Sequence, residues 1–381
     1  MRIKSICFIA RQYPTERQPQ STVFYKKLVD QAADSGMECR VIHPRAINRI
    51  STWFAEDRTV RTELGNPVTI YRPRMIATLG TKHVFGIRTG SISSLFFTRS
   101  VLRSFRRMDW TPDCFYGHFI SSGMAVGKLS TVTGIPGFVA YGESSSWSID
   151  GIGCKAVRKA LNDITGFVAV SEANKRRLIE YGIAPEEKIR VFPNGVDLAI
   201  FHRREKKESR KVLGWETDRF VVAFVGSFDE RKGVDRLCRA LRGLKNVQIA
   251  YAGEGRLKPD SDNAVHIGKV DPRIMPVFLS ACDVFVLPTL AEGCSNAILE
   301  ALACGLPVVS SDRDFNWDIL TEENSLLINP ESEQEIKDSV LRLRDDKELR
   351  ESLSLGAIKQ AKKFDIRERF GKIQSWMESF Y

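Results

Sequence analysis

Short runs of β-branched and apolar residues alternate with helix-period stretches along the whole chain, and this alternation restricts the fold more than any other feature. Strands of this kind, separated by helices, assemble into parallel sheets covered on both faces. In the first half strands are expected at 4–10, 38–43, 113–116, 137–140, 166–170 and 188–192, with helices at 23–33, 124–132 and 172–181 between them. The second half repeats the scheme at 220–225, 247–252, 265–268, 283–287, 307–310 and 326–328. A chain of 381 residues is too long for one ordinary core, so two such domains are expected, with a cleft between them. Pro193-Asn194-Gly195, followed by the charged stretch 202–211, marks the boundary. Ligands in parallel sheets bind at the carboxyl ends of the strands, in the loops that lead to helices.

The first ten residues are apolar after a basic start, but Arg11 ends the run too early for a signal peptide, and a buried strand is expected. Nowhere do about 18 apolar residues follow one another, so no membrane-spanning helix is expected. The eight cysteines are scattered and form no C-x-x-C pair, which suits reduced, partly buried thiols in a cytoplasmic protein.

The net charge of +10 is unevenly placed. Residues 1–190 hold 28 Lys and Arg against 16 Asp and Glu, so the excess lies entirely in the first half. No acid occurs between Glu63 and Asp109, whereas Arg72, Arg74, Lys82, Arg88, Arg99, Arg103, Arg106 and Arg107 lie there among Phe85, Leu95, Phe96, Phe97, Leu102 and Phe105. Two readings stay open. This is an ordinary solvated face with core residues behind it, or a surface for an anionic membrane leaflet or an acidic, lipid-linked substrate. Nucleic acid is disfavoured, because no zinc-finger, RNP-like or basic-zipper pattern accompanies the charge.

Two loops carry chemistry. After the expected strand 283–287 comes Pro288-Thr289-Leu290-Ala291-Glu292-Gly293-Cys294-Ser295-Asn296, then a helical pattern closed by Gly305 and Pro307. A helix start after glycine offers free N–H groups and a partial positive charge, which suit phosphate. Glu292 and Glu300 are acceptor-only side chains eight residues apart, up to roughly 12 Å at helical rise, and could hold the hydroxyls at two ends of a diphosphate-linked ligand. Taken alone they could equally be acids favoured near a helix N-terminus. The second loop, Gly226-Ser227-Phe228-Asp229-Glu230-Arg231-Lys232-Gly233, sets Arg231 and Lys232 beside a glycine at a helix start, suited to a diphosphate.

These residues resemble the GT-B-fold, retaining glycosyltransferases of family four, glycosyl transferases group 1, and the resemblance covers nearly the whole chain. It rests most on residues 292–309, similar to the family's double-glutamate donor motif. Val225-Gly226 with Arg231-Lys232-Gly233, Phe192-Pro193-Asn194-Gly195-Val196-Asp197 with Phe201, Val170-Ser171-Glu172, and Tyr116-Gly117-His118-Phe119 add to it. The resemblance implies an α/β fold of two Rossmann-like domains facing across a cleft. The acceptor domain would be 1–193, with the final helix 364–381 packing back on it, and the donor domain 194–363. It implies that Lys232, helped by Arg231 and the Gly226-Ser227 turn, binds the donor diphosphate. Glu300 would accept the ribose hydroxyls. Glu292, with the N–H groups of Gly293, Cys294 and Ser295, would hold the transferred sugar and its phosphate. Lys269 and Val270 would cradle the base through backbone groups. His118 would face the donor sugar from the other domain; outside that context it reads as a lone histidine satisfied at a strand end. His118, Glu292 and Lys232 would thus be the catalytic set.

Three departures bear on this. Ser227 stands where the family often has Arg, Gln20-Ser21-Thr22 stand where it usually has glycines, and Tyr141-Gly142-Glu143 stand where a His-Gly pair is common. Tyr141 and Glu143 would contact acceptor, or else pack and cap. No metal-ligand cluster presents itself in the sequence, and no cofactor beyond the nucleotide-sugar co-substrate is expected. The family implies transfer of a hexose-type sugar, with retention and without a metal, to a glycan or lipid-linked acceptor in surface polysaccharide or glycolipid synthesis. The basic first domain would place the protein on the inner face of the cell membrane. A same-fold epimerase or sugar phosphorylase, or a non-catalytic glycan-binding module, are the rival readings.

Overall fold

The computed structural model describes residues 2–16, 18, 22–48, 57–76, 83–84, 87–215 and 218–381. Gln20, Ser21, Lys82 and Phe85, singled out above, lie outside the described residues. The chain divides into two compact units, Met1–Phe192 with Phe370–Tyr381, and Pro193–Arg369.

The first unit is built on an eight-stranded sheet in the order Ile189–Val191, Gly166–Ala169, Gly137–Tyr141, Cys114–His118, Ser5–Ile9, Glu38–Ile42, Pro67–Tyr71, Arg58–Arg61. All neighbours pair parallel except the last, which is antiparallel. Ser5–Ile9, inside the apolar start of the chain, is a central strand. Its alternate residues feed two cores: Cys7 and Ile9 join Phe97, Val126 and Leu161 on one face, while Ile6 and Phe8 join Tyr25, Tyr116 and Phe138 on the other. Phe370, Ile373 and Met377 of the terminal helix Ile366–Glu378 complete the second core, with Trp376 edge-on to Phe138 and Phe192, each at 5.9 Å.

The strands Pro67–Tyr71 and Arg58–Arg61 and the helix Thr89–Phe105 were not expected from the sequence. The helix begins Thr-Gly-Ser and has no acid in its first turn, so it lacks the usual start signals, yet Phe97 and Val101 are fully buried on its inner face. Arg99, Arg103, Arg106 and Arg107 are exposed, whereas Arg72, counted above as surface charge, is buried and donates to the Pro14 carbonyl at 3.1 Å. The helix expected at 124–132 starts earlier and spans Phe119–Thr133.

The second unit holds a six-stranded, wholly parallel sheet in the order Ala264–Gly268, Val247–Ala252, Phe220–Val225, Val284–Leu287, Val308–Ser311, Ser325–Ile328. All six strands lie within a residue or so of the expected positions. The central strands Phe220–Val225 and Val284–Leu287 are buried on both faces, which accounts for their unbroken apolar sequence.

Both sheets are doubly wound, so each has a point where the strand order reverses. In the first it falls between Ser5–Ile9 and Cys114–His118; in the second, between Phe220–Val225 and Val284–Leu287. Loops leaving adjacent strands diverge there to opposite faces and leave a crevice at the carboxyl ends.

Candidate active site

At the reversal point of the second unit the loops 226–233 and 288–295 meet directly. The Leu290 N–H donates to the Arg231 carbonyl at 2.8 Å, and the Arg231 guanidinium donates to the Ala291 carbonyl at 2.7 Å. One oxygen of Glu292 gathers the charge: Oε1 accepts from Lys232 Nζ at 2.5 Å, Arg231 at 3.0 Å and the Thr289 hydroxyl at 3.0 Å. The Glu292 and Lys232 side chains are 10% and 13% exposed, so this ion pair is mostly removed from water and is screened little; Arg231, at 38%, reaches outward. Two cations thus sit on one carboxylate.

The first loop owes its shape to Asp229. Its carboxylate accepts from the Ser227 hydroxyl at 2.5 Å and from the Lys232 N–H at 2.8 Å, closing the turn that presents Arg231 and Lys232. Burial works against the Asp229 charge, but the Ser227 and Lys232 donors and the nearby cations hold its carboxyl below the usual range. Behind the turn, Arg236 is 7% exposed and spends its guanidinium on three carbonyls: Pro288 at 2.7 Å, Glu230 at 2.8 Å and Pro330 at 2.9 Å. It therefore fastens both loops to a third. On the other side the segment Gly253–Gly255 lies against the first loop, Phe228 N–H donating to the Glu254 carbonyl at 2.8 Å. A Cβ at Gly253 would lie 1.9 Å from the Gly226 carbonyl oxygen, and one at Gly255 2.2 Å from that of Phe228, so only glycine allows the approach.

Gly293, Cys294 and Ser295 are buried and lead into the helix Asn296–Ala303. Ser295 occupies the N-cap position but makes no capping bond, and its buried hydroxyl has no hydrogen-bond partner in the protein. A hydroxyl kept dry and unpaired beside a helix N-terminus is costly unless something binds it. Asn194 holds this stretch from below, donating to the Cys294 carbonyl at 3.1 Å and to the Asn296 side chain at 3.0 Å. Burial pushes the Cys294 thiol up to about 12, so it is neutral and inert. Glu300 is half-buried, one turn inside the helix. Lys269 and Val270 follow the edge strand Ala264–Gly268, two strands from the reversal point; Lys269 pairs with Glu254 at 2.7 Å on the surface.

In the first unit His118 ends its strand at the reversal point, 8% exposed, with Phe119, Tyr25 and Phe24 rings centred 4.3, 4.9 and 5.0 Å away. Phe119 takes a left-handed φ of 67°, a strained turn that starts the next helix immediately after His118. Glu143 caps that helix from the neighbouring strand end, accepting from the Ile120 N–H at 3.3 Å and from the Ser148 hydroxyl. Burial raises its carboxyl above the usual range, and these two donors pull the other way. Tyr141 is fully buried in the core beneath, its phenol pushed up to about 12 by burial against the opposing Arg177. Glu143 thus caps the helix and Tyr141 packs in the core. Among the described residues no three His, Cys, Asp or Glu side chains are placed to hold a metal ion.

The group of residues at the second reversal point is matched by the family description "Glycosyl transferases group 1" over residues 219–346, and residues 24–200 match "Glycosyltransferase Family 4". The chain belongs to the family-four glycosyltransferases. This glycosyltransferase is similar to TuaC of Bacillus subtilis, named for teichuronic acid biosynthesis, with 27% identity over 354 residues and 88% of each chain covered. It is also similar to the capsular polysaccharide biosynthesis glycosyltransferase CapM of Staphylococcus aureus, with 24% identity over 66% of this chain and 68% of CapM. Its GT-B fold matches that of Anabaena HepE in complex with UDP, at a TM-score of 0.75 and 17% identity, covering 99% of this chain and 100% of HepE.

The sequence reading passed over Asp229, Arg236, Thr289 and Asn194. Asp229 had a usable signal, an Asp three residues ahead of Lys232 in a loop that closes on Gly233. Arg236 had none, because a charged residue on a short helix reads as solvent-facing until the carbonyls around it are seen.

Proposed function

We propose that this glycosyltransferase is a retaining enzyme that moves a hexose-type sugar from a nucleoside-diphosphate sugar to a glycan or lipid-linked acceptor in bacterial surface polysaccharide or glycolipid assembly. The observation that carries the reading is the convergence of Lys232 and Arg231 on Glu292 beside the unpaired Ser295 hydroxyl. It supplies two cations for a diphosphate, a donor at a helix start, and an acceptor for sugar hydroxyls within one reversal point. The names of TuaC and CapM support a polysaccharide acceptor, and HepE has been solved with UDP and with UDP-glucose.

In this reading Lys232 and Arg231 leave Glu292 for the donor phosphates, and Glu292 turns to the sugar hydroxyls. Glu300 takes the ribose, and the 269–270 turn takes the base through its backbone. The bond from the anomeric carbon to the diphosphate breaks with its electron pair on the phosphate oxygen. The acceptor oxygen bonds to that carbon on the same face, and its proton passes to the departing phosphate. His118 acts on the donor sugar, while Glu143 holds the helix start behind it. Lys232, Arg231 and the helix N-terminus balance the diphosphate charge, so activity persists in EDTA. The basic first unit, with Arg99, Arg103, Arg106 and Arg107 exposed, attaches to an anionic inner leaflet. No helix among the described residues is long and apolar enough to cross a membrane.

A screen of UDP-, GDP- and ADP-sugars for thermal stabilisation and slow hydrolysis tests the donor part, because a bound donor raises stability by mass action. Transfer to an added glycan primer separates the reading from an epimerase or phosphorylase. Absence of both stabilisation and nucleoside diphosphate release with every donor refutes it.

A further inference from the structure

The chain enters the second unit at Pro193 and leaves it at Arg369, and the two crossing segments are tied together inside that unit. Val196 N–H donates to the Phe364 carbonyl at 2.8 Å, and Ile366 N–H returns to the Val196 carbonyl at 3.0 Å. Arg369 Nε donates to the Pro193 carbonyl at 2.6 Å. A Cβ at Gly195 would lie 2.7 Å from Ile366 Cα, so only glycine lets the two backbones come this close. The main chain is therefore bonded on both sides of Asn194, which gives its side chain a fixed base.

From that base Asn194 reaches the start of the helix Asn296–Ala303 with all of its N–H groups. Its backbone N–H donates to Cys294 Sγ at 3.4 Å, and its side-chain amide donates to the Cys294 carbonyl at 3.1 Å and to Asn296 Oδ1 at 3.0 Å. The peptide joining Cys294 to Ser295 is planar and trans, so its C=O and N–H point in opposite directions. With the carbonyl turned to Asn194, the Ser295 N–H is turned to the far side. Serine and asparagine side chains readily accept from the free N–H groups of a helix start. Here the Asn296 oxygen is held by Asn194, and Ser295 makes no capping bond. The helix start, whose first N–H groups have no partner within the helix, is thereby kept open beside the buried, unpaired Ser295 hydroxyl.

We infer that Asn194 is a positioning residue for the donor diphosphate: it aims the Ser295 N–H and keeps the helix start open for a phosphate that it does not itself touch. The inference rests on the proposed donor role of this helix start and adds the residue that orients it. A phosphate accepting from the Ser295 N–H polarises that peptide and makes the Cys294 carbonyl a stronger acceptor for Asn194. Phosphate binding and the Asn194 bonds therefore reinforce each other, and the crossing segment stiffens when the phosphate arrives. In the proposed reading this is the phosphate next to the sugar, which a nucleoside monophosphate lacks.

The test titrates the full chain by calorimetry with UDP and UMP, GDP and GMP, and ADP and AMP. For the base that the wild type accepts, the diphosphate should bind more tightly than the monophosphate. Asn194→Ala should lose about ten-fold in diphosphate affinity while its monophosphate affinity stays within about two-fold. Asn194→Asp should lose more, because its carboxylate has no hydrogen to donate and sets a negative charge against the Cys294 carbonyl. The ratio of the two affinities is a readout that a loss of packing alone would not move. Hydrogen exchange of the wild type gives a second reading that needs no variant: residues 194–196 should exchange more slowly with the diphosphate and not with the monophosphate. If no diphosphate binds the wild type better than its monophosphate, the donor reading itself fails. If the wild type shows that preference and Asn194→Ala keeps it, or weakens both ligands equally, the donor reading stands and the role of Asn194 is refuted. Exchange at 194–196 that ignores the diphosphate refutes it as well.

Discussion

Replacing Glu292 by Gln should make a nucleoside diphosphate bind more tightly while transfer collapses. In the structure Glu292 Oε1 holds both Lys232, at 2.5 Å, and Arg231, at 3.0 Å, so a diphosphate must win these cations from a carboxylate and then sit near it. A unit charge about 5 Å from a phosphate at an effective dielectric near 20 costs about 3 kcal/mol. Arg231 is more than a third exposed, so solvent screening reduces the working figure to about 1–2 kcal/mol. Gln keeps the shape and the Thr289 hydrogen bond but removes the charge, which corresponds to roughly five- to thirty-fold tighter binding. Transfer should fall by at least about a hundred-fold, because the sugar hydroxyls lose their charged acceptor. Calorimetric titration of wild type and Glu292→Gln with UDP, GDP and ADP gives the affinities, and single-turnover assays give the chemical step. An unchanged or weaker affinity for the diphosphate that binds the wild type would sink the argument that Glu292 competes for the cations.

Lys232→Ala should lose most of kcat, whereas Glu300→Ala should chiefly raise the donor KM; steady-state kinetics separate the two, and equal effects on both parameters would contradict the division of roles. Arg236→Met strands the carbonyls of Pro288, Glu230 and Pro330 at a cost of about 1–3 kcal/mol each where water cannot reach. Melting should therefore show a loss of about 3–5 kcal/mol in the second unit, partly restored by Arg236→Lys, and a loss below about 1 kcal/mol would refute the fastening role. Burial pushes the His43 imidazole down to about 4, with Arg72 adding to the effect against the Ala10 carbonyl. The unfolded chain therefore binds the extra proton first as pH falls below about 6.5, so stability from this residue is full above that pH and drains away toward pH 4, by up to ~3 kcal/mol. His43→Gln should flatten the fall in melting temperature over that window, and an unaltered pH profile would exclude His43 as its source.

The second unit was legible almost strand for strand because its central strands are buried on both faces and read as unbroken apolar runs. In the first unit the strands Pro67–Tyr71 and Arg58–Arg61 escaped notice because each is short and interleaves polar residues such as Thr69 and Arg61. For the acid-free stretch the sequence left open a solvated face with core residues behind it, and the helix Thr89–Phe105 has that form, with Phe97 and Val101 buried and Arg99 and Arg103 exposed, although Leu95 is exposed as well. For the site, Glu292, Lys232 and Arg231 stood out only once the family resemblance was added to residue type and spacing, and their convergence on a single oxygen depends on strands some sixty residues apart becoming neighbours. Local sequence could not show that Glu143 caps a helix rather than faces outward, because the N–H it serves belongs to Ile120.

The contact of Gly253 and Gly255 with the carbonyls of Gly226 and Phe228 separates two properties that mutation usually alters together. A floor made of main chain pressed on main chain is indifferent to the side chains around it, so Lys269 and Val270 are free to vary with little effect on its shape. Under the proposed donor role, donor preference can therefore drift, or be engineered, by exchanging rim residues on an unchanged floor. Lengthening either loop by one residue would part the two backbones and remove the floor itself. Tolerance to substitution and intolerance to insertion are thus built into the same few ångströms.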